Sequence, residues 1–398
     1  MRVTIGSTAG YLISLALTPL LSRIFGPEAF GISATIIAVI SVFTGISTFR
    51  LEVFAQRTSD DLEARSLFRA ALRSAALWGL GITVLSTVAV ALGAPWLWLL
   101  VGALVFLASL QLVGGAMLTR QRQYGSLARA NFVQGAGIGI GQTALGLVQA
   151  SPLSLVLGFG FARLVWCAPL RRLRRSAEEP RVPVPVTLRR DAGMAGTSAV
   201  INGLGGQLTV LLTSALYGQV EAGLLAMAIR LLVSPLAIVG QAAASASLGE
   251  LGRLIRTRTP DGAAVVKKAM RDLALVGSIP CVGLAVVGLV FAPQLLGEEW
   301  TDAGRMMALL APGTLLQFVV SPFSQLLNLA GRTKSLLVWD ISRVALLTVA
   351  LALPWALGQP ILVTVACYSA ALVPLYLWMA HLVRDTLRTV DKNHPPVT

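Results

Sequence analysis

Long apolar runs separated by short polar stretches dominate the sequence. We count twelve of them, at roughly 4–22, 31–49, 74–93, 95–118, 130–149, 152–170, 193–216, 222–247, 273–294, 304–329, 335–357 and 360–383. A helix that crosses a bilayer needs about 20 mainly apolar residues, and only helices and closed barrels satisfy their backbone in lipid. These runs are too long and continuous for barrel strands. The pattern therefore predicts an all-α integral membrane protein with about twelve transmembrane helices.

The composition excludes a soluble protein. Hydrophobic residues make up 55% of the 398 residues and charged residues only 13%, whereas soluble domains carry about 25% charged residues. The three cysteines, Cys167, Cys281 and Cys367, lie inside apolar runs and form no CxxC or Cys/His cluster. We therefore expect no disulfide, no metal site and no cofactor.

The basic residues alternate between the two sides of the predicted membrane. With the N-terminus placed in the cytoplasm, the inside segments hold 27 Lys and Arg residues, and the outside loops hold only Arg23 and Arg305. This asymmetry follows the positive-inside rule. It predicts a multi-pass protein of the cytoplasmic (inner) membrane with both termini in the cytoplasm, and it explains the net charge of +14 without a nucleic-acid partner. The first apolar run lacks a signal-peptidase site, so we expect it to be retained.

The longest inside segment predicts the domain organisation. It is basic and contains Pro180, Pro183 and Pro185. We expect an N-terminal six-helix bundle (1–170), a basic cytoplasmic linker (171–192), and a C-terminal six-helix bundle with a short cytoplasmic tail (193–398). A weak repeat relates 26–31 to 218–223, each between the first two helices of its half. Two repeated halves with a central site are typical of transporters.

Five predicted helices carry polar residues at spacings of three or four, so that each set shares one helix face. Such residues commonly hold membrane helices together. They could equally line a water-filled cavity between the halves, and we keep both interpretations. The amide and hydroxyl side chains that we single out as candidate substrate contacts are Asn202, Gln241, Gln317, Ser321 and Asn328. Overlapping GxxxG patterns at 135–141 predict close helix packing.

Charges inside the predicted helices are the sharper candidates, because a charge at the membrane centre costs about 2.5–3.5 kcal/mol on insertion scales. Arg343 is explained by an i, i+3 pair with Asp340 and by snorkelling. Arg230 shares a face with polar residues, which favours a cavity position. Arg163 is expected to line a cavity or to join a buried pair. Asp340 is the only acid well inside a predicted span, so it is our candidate for ion coupling.

Three ordered stretches carry a family resemblance. The first is TPLLSRIFGPEAFG at 18–31 with RLEVFA at 50–55, the second runs from 222 to 236, and the third from 297 to 332. In this order they resemble the Wzx-type oligosaccharide flippases, the polysaccharide-biosynthesis branch of the MOP transporter superfamily. The similarity spans nearly the whole chain. The family pattern is matched at Arg23, Arg50, Glu52 and Arg230, but there is no thirteenth or fourteenth helix.

The resemblance implies a MATE-like architecture of two six-helix bundles that work by alternating access around a cationic cavity. It implies translocation of undecaprenyl-diphosphate-linked oligosaccharide units across the cytoplasmic membrane, for O-antigen, capsule or exopolysaccharide assembly. The implied partners are this lipid-linked oligosaccharide and membrane lipids, with a polysaccharide polymerase and glycosyltransferases as further candidates. Arginines offset phosphate charge well, so Arg230 and Arg163, together with Arg50 and Arg23, are candidates for attracting the anionic head.

Three other classes remain open. A drug or cation antiporter of the same superfamily would need intramembrane acids, and only Asp340 qualifies. A membrane polysaccharide polymerase or ligase would carry a sizeable outside loop with catalytic groups, whereas the outside loops predicted here are short. We therefore do not expect an enzyme. A non-transporting scaffold is disfavoured by the polar faces.

Overall fold

A computed structural model describes residues 2–175, 186–236, 262–324, 326–327 and 332–392. The regular structure within these ranges is entirely helical. Close contacts divide the chain into two compact units, which we call unit 1 (Met1–Leu211) and unit 2 (Leu212–Thr398). The boundary between the units falls inside a helix. The linker expected at 171–192 includes 176–185, which lie outside the described residues, so the predicted domain bounds stay a prediction.

Unit 1 begins with nine helices that follow each other closely. They are α1 (Arg2–Ala16), α2 (Thr18–Ile24), α3 (Pro27–Ser47), α4 (Leu51–Arg57), α5 (Asp61–Ala91), α6 (Leu100–Arg120), α7 (Tyr124–Val148), α8 (Pro152–Phe161) and α9 (Cys167–Arg175). Short 3-10 turns lead into α6 at Trp96–Leu99 and join α8 to α9 at Ala162–Trp166. Proline lies in the first turn of α3 and of α8, where its missing N–H costs nothing.

The helix α10 (Val186–Tyr217) crosses from unit 1 into unit 2. The following described helices are α11 (Gln219–Ala228), which continues as a π-turn at Ile229–Val233, α12 (Gly262–Leu296), α13 (Thr301–Val320), α14 (Thr333–Ala356) and α15 (Ile361–Lys392). The connections that correspond to the sequence repeat differ in backbone. Gly26 has φ −72° before α3, whereas Gly218 has φ 93° before α11. Only the connection at Gly218 therefore requires glycine.

Nine described helical segments are long and apolar enough to cross a membrane. They are Pro27–Ser47, Asp61–Ala91, Trp96–Arg120, Pro152–Arg171, Gln219–Leu236, Ala264–Leu296, Glu298–Ser324, Lys334–Ala356 and Ile361–Leu387, and Thr8–Ile24 forms a shorter apolar helix. Large apolar side chains remain exposed on their surfaces, as at Leu85 (71%) and Ile279 (79%), which suits contact with lipid. The all-α multi-pass membrane architecture is therefore confirmed, while the count of twelve spans stays a prediction.

Glycines set the closest helix contacts in both units. Of the GxxxG residues of α7, Gly135 and Gly139 pack closely against α1, while Gly141 contacts α8 and Gly137 contacts Ala162 in the turn after α8 at ordinary distances. In the hairpin of α5 and α6, a Cβ on Gly102 would lie 2.2 Å from the Gly79 carbonyl oxygen. In the hairpin of α12 and α13, a Cβ on Gly304 would lie 2.1 Å from the Gly288 carbonyl oxygen. These backbones approach too closely for any larger residue.

Candidate functional site

Arg50 lies at a sharp turn between α3 and α4. Phe49 and Arg50 both have positive φ, at 49° and 57°. Non-glycine residues seldom adopt this left-handed conformation, which costs about 1–2 kcal/mol per residue. The turn ends α3 and places Arg50, which is half-buried, directly before the first residue of α4. Strained backbone often occurs at functional sites. Two consecutive strained residues, one of them a candidate arginine, therefore make this turn a candidate functional site.

Buried oxygens flank this turn. Glu52 is only 3% exposed, and its Oε2 has no hydrogen-bond partner among the described residues. The Oγ1 of Thr48, which is fully buried, also lacks a partner there. Unsatisfied buried polar atoms are uncommon in proteins and often belong to functional sites. The family pattern alone marks Glu52, and nothing else in the sequence indicates its burial.

Arg120 fixes the far end of α4. Its Nη1 donates to the carbonyl oxygens of Ala55 (2.9 Å) and Thr58 (2.5 Å), and its Nη2 donates to Oδ1 of Asp61 at 2.7 Å. Ala55 lies in the last turn of α4, where carbonyl oxygens have no further partners inside the helix, and Thr58 is the residue that ends it. Asp60 caps α5 by accepting from the Leu62 N–H. The guanidinium thus joins α4, α5 and α6 at one corner, a role that the sequence did not indicate.

Serine hydroxyls tie the same region from the inside. The Oγ atoms of Ser47 and Ser109 are 2.6 Å apart, and Ser74 Oγ donates to the Ser47 carbonyl oxygen at 2.7 Å. Ser47 and Ser109 are fully buried. These bonds connect α3, α5 and α6, so the backbone that precedes Arg50 is anchored on one side by serines and on the other by Arg120.

Arg23 lies at the opposite end of α3 from Arg50. It is exposed in the last turn of α2, just before the connection to α3. Since α3 has 21 residues, its length of about 30 Å separates the two arginines. A single diphosphate group cannot contact both of them at once.

Arg163 lies inside unit 1, in the 3-10 turn that follows α8. It is 9% exposed. Its Nη1 donates to the Phe159 carbonyl oxygen at 2.8 Å, and its Cζ lies 3.5 Å from the centroid of the Phe159 ring. Nearby, Trp166 Nε1 donates to Gln134 Oε1, and Gln134 Nε2 donates to Gln111 Oε1 at 2.9 Å. This amide chain joins α6 and α7 to the turn, and it was not expected from the sequence.

Arg230 lies in the π-turn that continues α11. A π-turn is rare and often marks a functional position. Ser234 Oγ donates to the Ile229 carbonyl oxygen at 3.3 Å across this wider turn. Pro235 follows, and a proline cannot donate to the carbonyl four residues before it. The irregular backbone therefore lies just before a proline, and Arg230 is half-buried in it.

Asp340 and Arg343 form the pair expected in α14. The Asp340 Oδ1 and Arg343 Nη2 atoms are 3.5 Å apart, and these side chains are 27% and 16% exposed. The Arg343 Cζ lies 5.0 Å from the Trp339 ring centroid, while Trp339 Nε1 donates to the Leu375 carbonyl oxygen of α15 at 2.9 Å. The i, i+3 pair is confirmed. It engages Asp340 with a cation, and the coupling role of Asp340 stays a prediction.

The other candidates are divided between the units. In unit 1, Asn202 is exposed on α10; in unit 2, Gln317 is half-buried on α13 and Ser321 is exposed just after it. Gln241 and Asn328 lie outside the described residues. Within the described part of the chain, no group of three His, Cys, Asp or Glu side chains could hold a metal ion.

Several hydroxyls of the polar faces bond within their own helix. Ser41 and Thr44 of α3 donate to the carbonyl oxygens of Ile37 (2.8 Å) and Ile40 (2.6 Å), and Thr18 donates to that of Ser14 at 3.2 Å. Bonds of this kind satisfy a hydroxyl in a packed helix without water. They support the packing interpretation for these three residues, and the cavity interpretation stays a prediction.

A family comparison decides the relationship of the chain. A model described as "Polysaccharide biosynthesis protein" matches residues 20–305. The chain belongs to this polysaccharide biosynthesis protein family. The matched segment contains Arg23, Arg50, Glu52 and Arg230, so the resemblance drawn from these residues is confirmed. No curated protein sequence matches the chain.

Solved structures show the fold of this family member. One is described as the lipid II flippase MurJ in an inward-closed conformation, with a TM-score of 0.70, 13% identity, and coverage of 98% of this chain and 90% of that one. Others are a multidrug resistance MATE family transporter of the MOP superfamily, inward-facing (TM-score 0.65, 12% identity, 99% and 96% coverage) and outward-facing (0.63, 14%, 98% and 96%). At such identities the likeness shows the fold alone.

Proposed function

We propose that this chain is a flippase that moves oligosaccharide units linked to a polyprenyl diphosphate across the cytoplasmic membrane, for O-antigen, capsule or exopolysaccharide assembly. The observation that carries the proposal is membership of the polysaccharide biosynthesis protein family over residues 20–305. The fold supports it, because a lipid II flippase has the same architecture over 98% of this chain.

The arginines of unit 1 give the proposal a physical basis. A diphosphate head is costly in hydrocarbon, and guanidinium groups offset this cost through charge-assisted, often bidentate hydrogen bonds. Because Arg50 and Arg23 lie at opposite ends of α3, they would meet the head in succession, Arg50 at the inner side and Arg23 at the outer side. Arg230, in its π-turn in unit 2, is a further candidate for contact with the head.

The remaining assignments belong to the same proposal. Asn202, Gln241, Gln317, Ser321 and Asn328 would offer weak hydrogen bonds to sugar hydroxyls. The bundles at 1–170 and 193–398 would alternate around the substrate, with both termini in the cytoplasm of the inner membrane. Asp340 would respond to the coupling ion. Membrane lipids surround the protein, and a polymerase and glycosyltransferases are its proposed protein partners.

The test is a deletion of the gene in its native host, followed by assay of polyprenol-linked glycans with an impermeant glycan probe. We expect completed repeat units to accumulate on the inner face. Wild-type protein should clear them, whereas Arg50→Ala and Arg230→Ala at equal abundance should not. Arg129→Ala, which alters an exposed arginine of α7, is the matched control. No accumulation on deletion would contradict the flippase, and full activity of both variants would contradict the arginine assignments.

A drug or cation antiporter is the second candidate, because MATE transporters share the fold. It is disfavoured because such transporters need several intramembrane acids, whereas Asp340 is the only acid well inside a predicted span. Efflux of a fluorescent cation that depends on Asp340 would favour it. We propose transport rather than catalysis, and chain extension of a glycan by the purified protein would contradict that choice.

A further inference from the structure

The helices α5 and α12 are longer than the hydrocarbon core of a bilayer requires. They have 31 and 35 residues and measure about 46 and 52 Å, whereas the core is about 30 Å thick. Even at a tilt of 40°, near the upper limit for such helices, they span about 35 and 40 Å along the membrane normal. One end of each helix therefore extends into the layer of lipid headgroups.

In α5, basic residues lead directly into an exposed apolar face. Arg73 is exposed, and Leu77 and Leu80, which follow it by four and seven positions on the same face, are 70% and 64% exposed. One turn before Arg73 lies the half-buried Arg69. Its Nε donates to the Arg65 carbonyl oxygen at 3.4 Å, so its guanidinium group points toward the N-terminal end of the helix and away from the apolar face.

The same order of residues occurs in α12. Lys267 and Arg271, one turn apart, are both exposed, and Leu275 and Ile279 follow at intervals of four positions with exposures of 62% and 79%. Asp272 Oδ1 lies 3.8 Å from Arg271 Nε, but these side chains are 51% and 72% exposed, and such exposed pairs contribute little. In both helices, two basic residues and then an exposed leucine therefore follow one another at intervals of four.

A phospholipid matches this arrangement in shape and in charge. Its acyl chains can lie along the exposed apolar face, while guanidinium groups bind its phosphate oxygens. The acids in the first turn of α5 are engaged elsewhere, because Asp61 pairs with Arg120 at 2.7 Å and Glu63 accepts from the Thr58 hydroxyl. The topology predicted from the sequence places the N-terminal ends of α5 and α12 at the cytoplasmic leaflet, whose surface is negatively charged by anionic lipids.

We propose that two basic pairs, Arg69 with Arg73 in α5 and Lys267 with Arg271 in α12, each bind the headgroup of an anionic phospholipid of the surrounding membrane. The pairs favour a lipid with a net negative charge over a zwitterionic one, because the ammonium group of a zwitterionic headgroup cancels the charge of its phosphate. These residues differ from the arginines assigned to the transported head. The proposal therefore does not rest on the proposed transport function, and its test needs no lipid-linked oligosaccharide.

The test counts the lipids that the purified protein retains. Full-length protein in detergent is mixed with equal amounts of phosphatidylglycerol and phosphatidylethanolamine that have the same acyl chains, and native mass spectrometry measures the bound lipids. We expect phosphatidylglycerol to be retained preferentially. Arg73→Gln and Arg271→Gln, both at exposed positions, should each weaken one site about fivefold, which corresponds to about 1 kcal/mol for a basic residue near an anionic lipid surface. The double variant should weaken both sites.

Arg129→Gln is the matched control. Arg129 is an exposed arginine of α7, and Val133, four positions later, is 49% exposed. Gly125 lies one turn before it, so Arg129 belongs to no basic pair, and its replacement should leave the retained lipid unchanged. An equal loss in Arg129→Gln would overturn the proposal, because overall charge and not the basic pairs would then hold the lipid. A wild-type protein without preference for phosphatidylglycerol would overturn it too.

A second measurement locates the lipid on the wild-type protein. A photoreactive phosphatidylglycerol should crosslink to peptides that contain 69–80 and 267–279, and crosslinks confined to other segments would contradict the proposal. Undecaprenyl phosphate serves as the competitor. If it displaces phosphatidylglycerol from both peptides at equal concentration, the proposal fails, because the basic pairs would then receive the lipid carrier of the transported unit. Unchanged crosslinking in its presence would support a site for membrane phospholipid.

Discussion

Arg163 in unit 1 and Arg343 in unit 2 are both arginines inside apolar helices, yet the chain surrounds them differently. Each lies over an aromatic ring, Phe159 at 3.5 Å and Trp339 at 5.0 Å. Arg343 also has Asp340 as an ion-pair partner in its own helix. Arg163 is more deeply buried and has no acid beside it within the described residues. The comparison teaches that burial alone does not determine the role of an intramembrane arginine. It also matters whether an acid of the chain neutralises its charge.

The two units differ in the surroundings of these arginines, but they share the way in which one helix hairpin packs. The α5–α6 hairpin of unit 1 and the α12–α13 hairpin of unit 2 both pack backbone against backbone at a glycine pair. They are the third and fourth apolar segments of their halves. The weak repeat at 26–31 and 218–223 thus has a structural counterpart in helix packing. The scaffold is shared between the halves, whereas the surroundings of the intramembrane arginines are not.

The largest expected effect concerns this shared packing. Gly102→Ala in unit 1 and Gly304→Ala in unit 2 place a Cβ about 2 Å from a backbone oxygen. Each should destabilise its hairpin by about 2–3 kcal/mol, because backbone cannot move aside cheaply. The yield of monodisperse protein after detergent extraction should fall strongly for both variants.

Matched controls exist in the same helices. Gly81 of α5 and Gly283 of α12 have nothing within 4 Å of an added Cβ, so alanine there should be neutral or stabilising by up to about 1 kcal/mol. If Gly102→Ala behaves like Gly81→Ala, the α5–α6 contact is not as close as described.

The ion pair of unit 2 should give the next largest effect. Asp340→Asn leaves Arg343 without its counter-ion, and breaking a buried pair costs about 3–5 kcal/mol. Because these side chains are 27% and 16% exposed, we expect about 1–2 kcal/mol. The double variant Asp340→Asn/Arg343→Gln should recover part of the loss. A double-mutant cycle of melting temperatures measures this coupling, and strictly additive effects would show that the pair contributes nothing.

Particular residues show how far the sequence could predict the structure. The apolar runs placed the helices because length and hydropathy suffice in lipid. Asp340 and Arg343 could be paired from sequence, since a spacing of three fixes their relative position on a helix. The stacking of Arg163 on Phe159 depends on a side-chain rotamer, and the contacts of Arg120 depend on a distant loop. Neither leaves a periodic signal, so Arg120 looked like any basic residue at the inner end of a span.

The loop anchors of the two units should differ in strength. Arg120 is 17% exposed at its side chain and binds two carbonyl oxygens and Asp61. Arg332, at the start of α14, binds Asp385 and Thr386 of α15 and is 35% exposed. We expect Arg120→Ala to cost about 1.4 kcal/mol, so that amide exchange in α4 accelerates about tenfold if it follows local opening.

Arg332→Ala should cost less than about 1 kcal/mol, because exposed ion pairs contribute little. Hydrogen exchange read out by mass spectrometry compares the two variants with Arg129→Ala. Unchanged exchange in α4 of Arg120→Ala would mean that the serine contacts of Ser47 and Ser74 hold this corner without the arginine.

The smallest expected effect tests the initial comparison directly. Arg163→Met replaces a buried cation, which has no acid beside it within the described residues, by an apolar side chain of similar length. This should be neutral or stabilising by up to about 1 kcal/mol. Arg343→Met removes a cation that is paired with Asp340 and leaves this acid unpaired, so its melting temperature should fall. Equal decreases in melting temperature in the two variants would mean that the Phe159 ring and carbonyl oxygen already stabilise the charge of Arg163. The two arginines would then both be stabilised by groups of the chain.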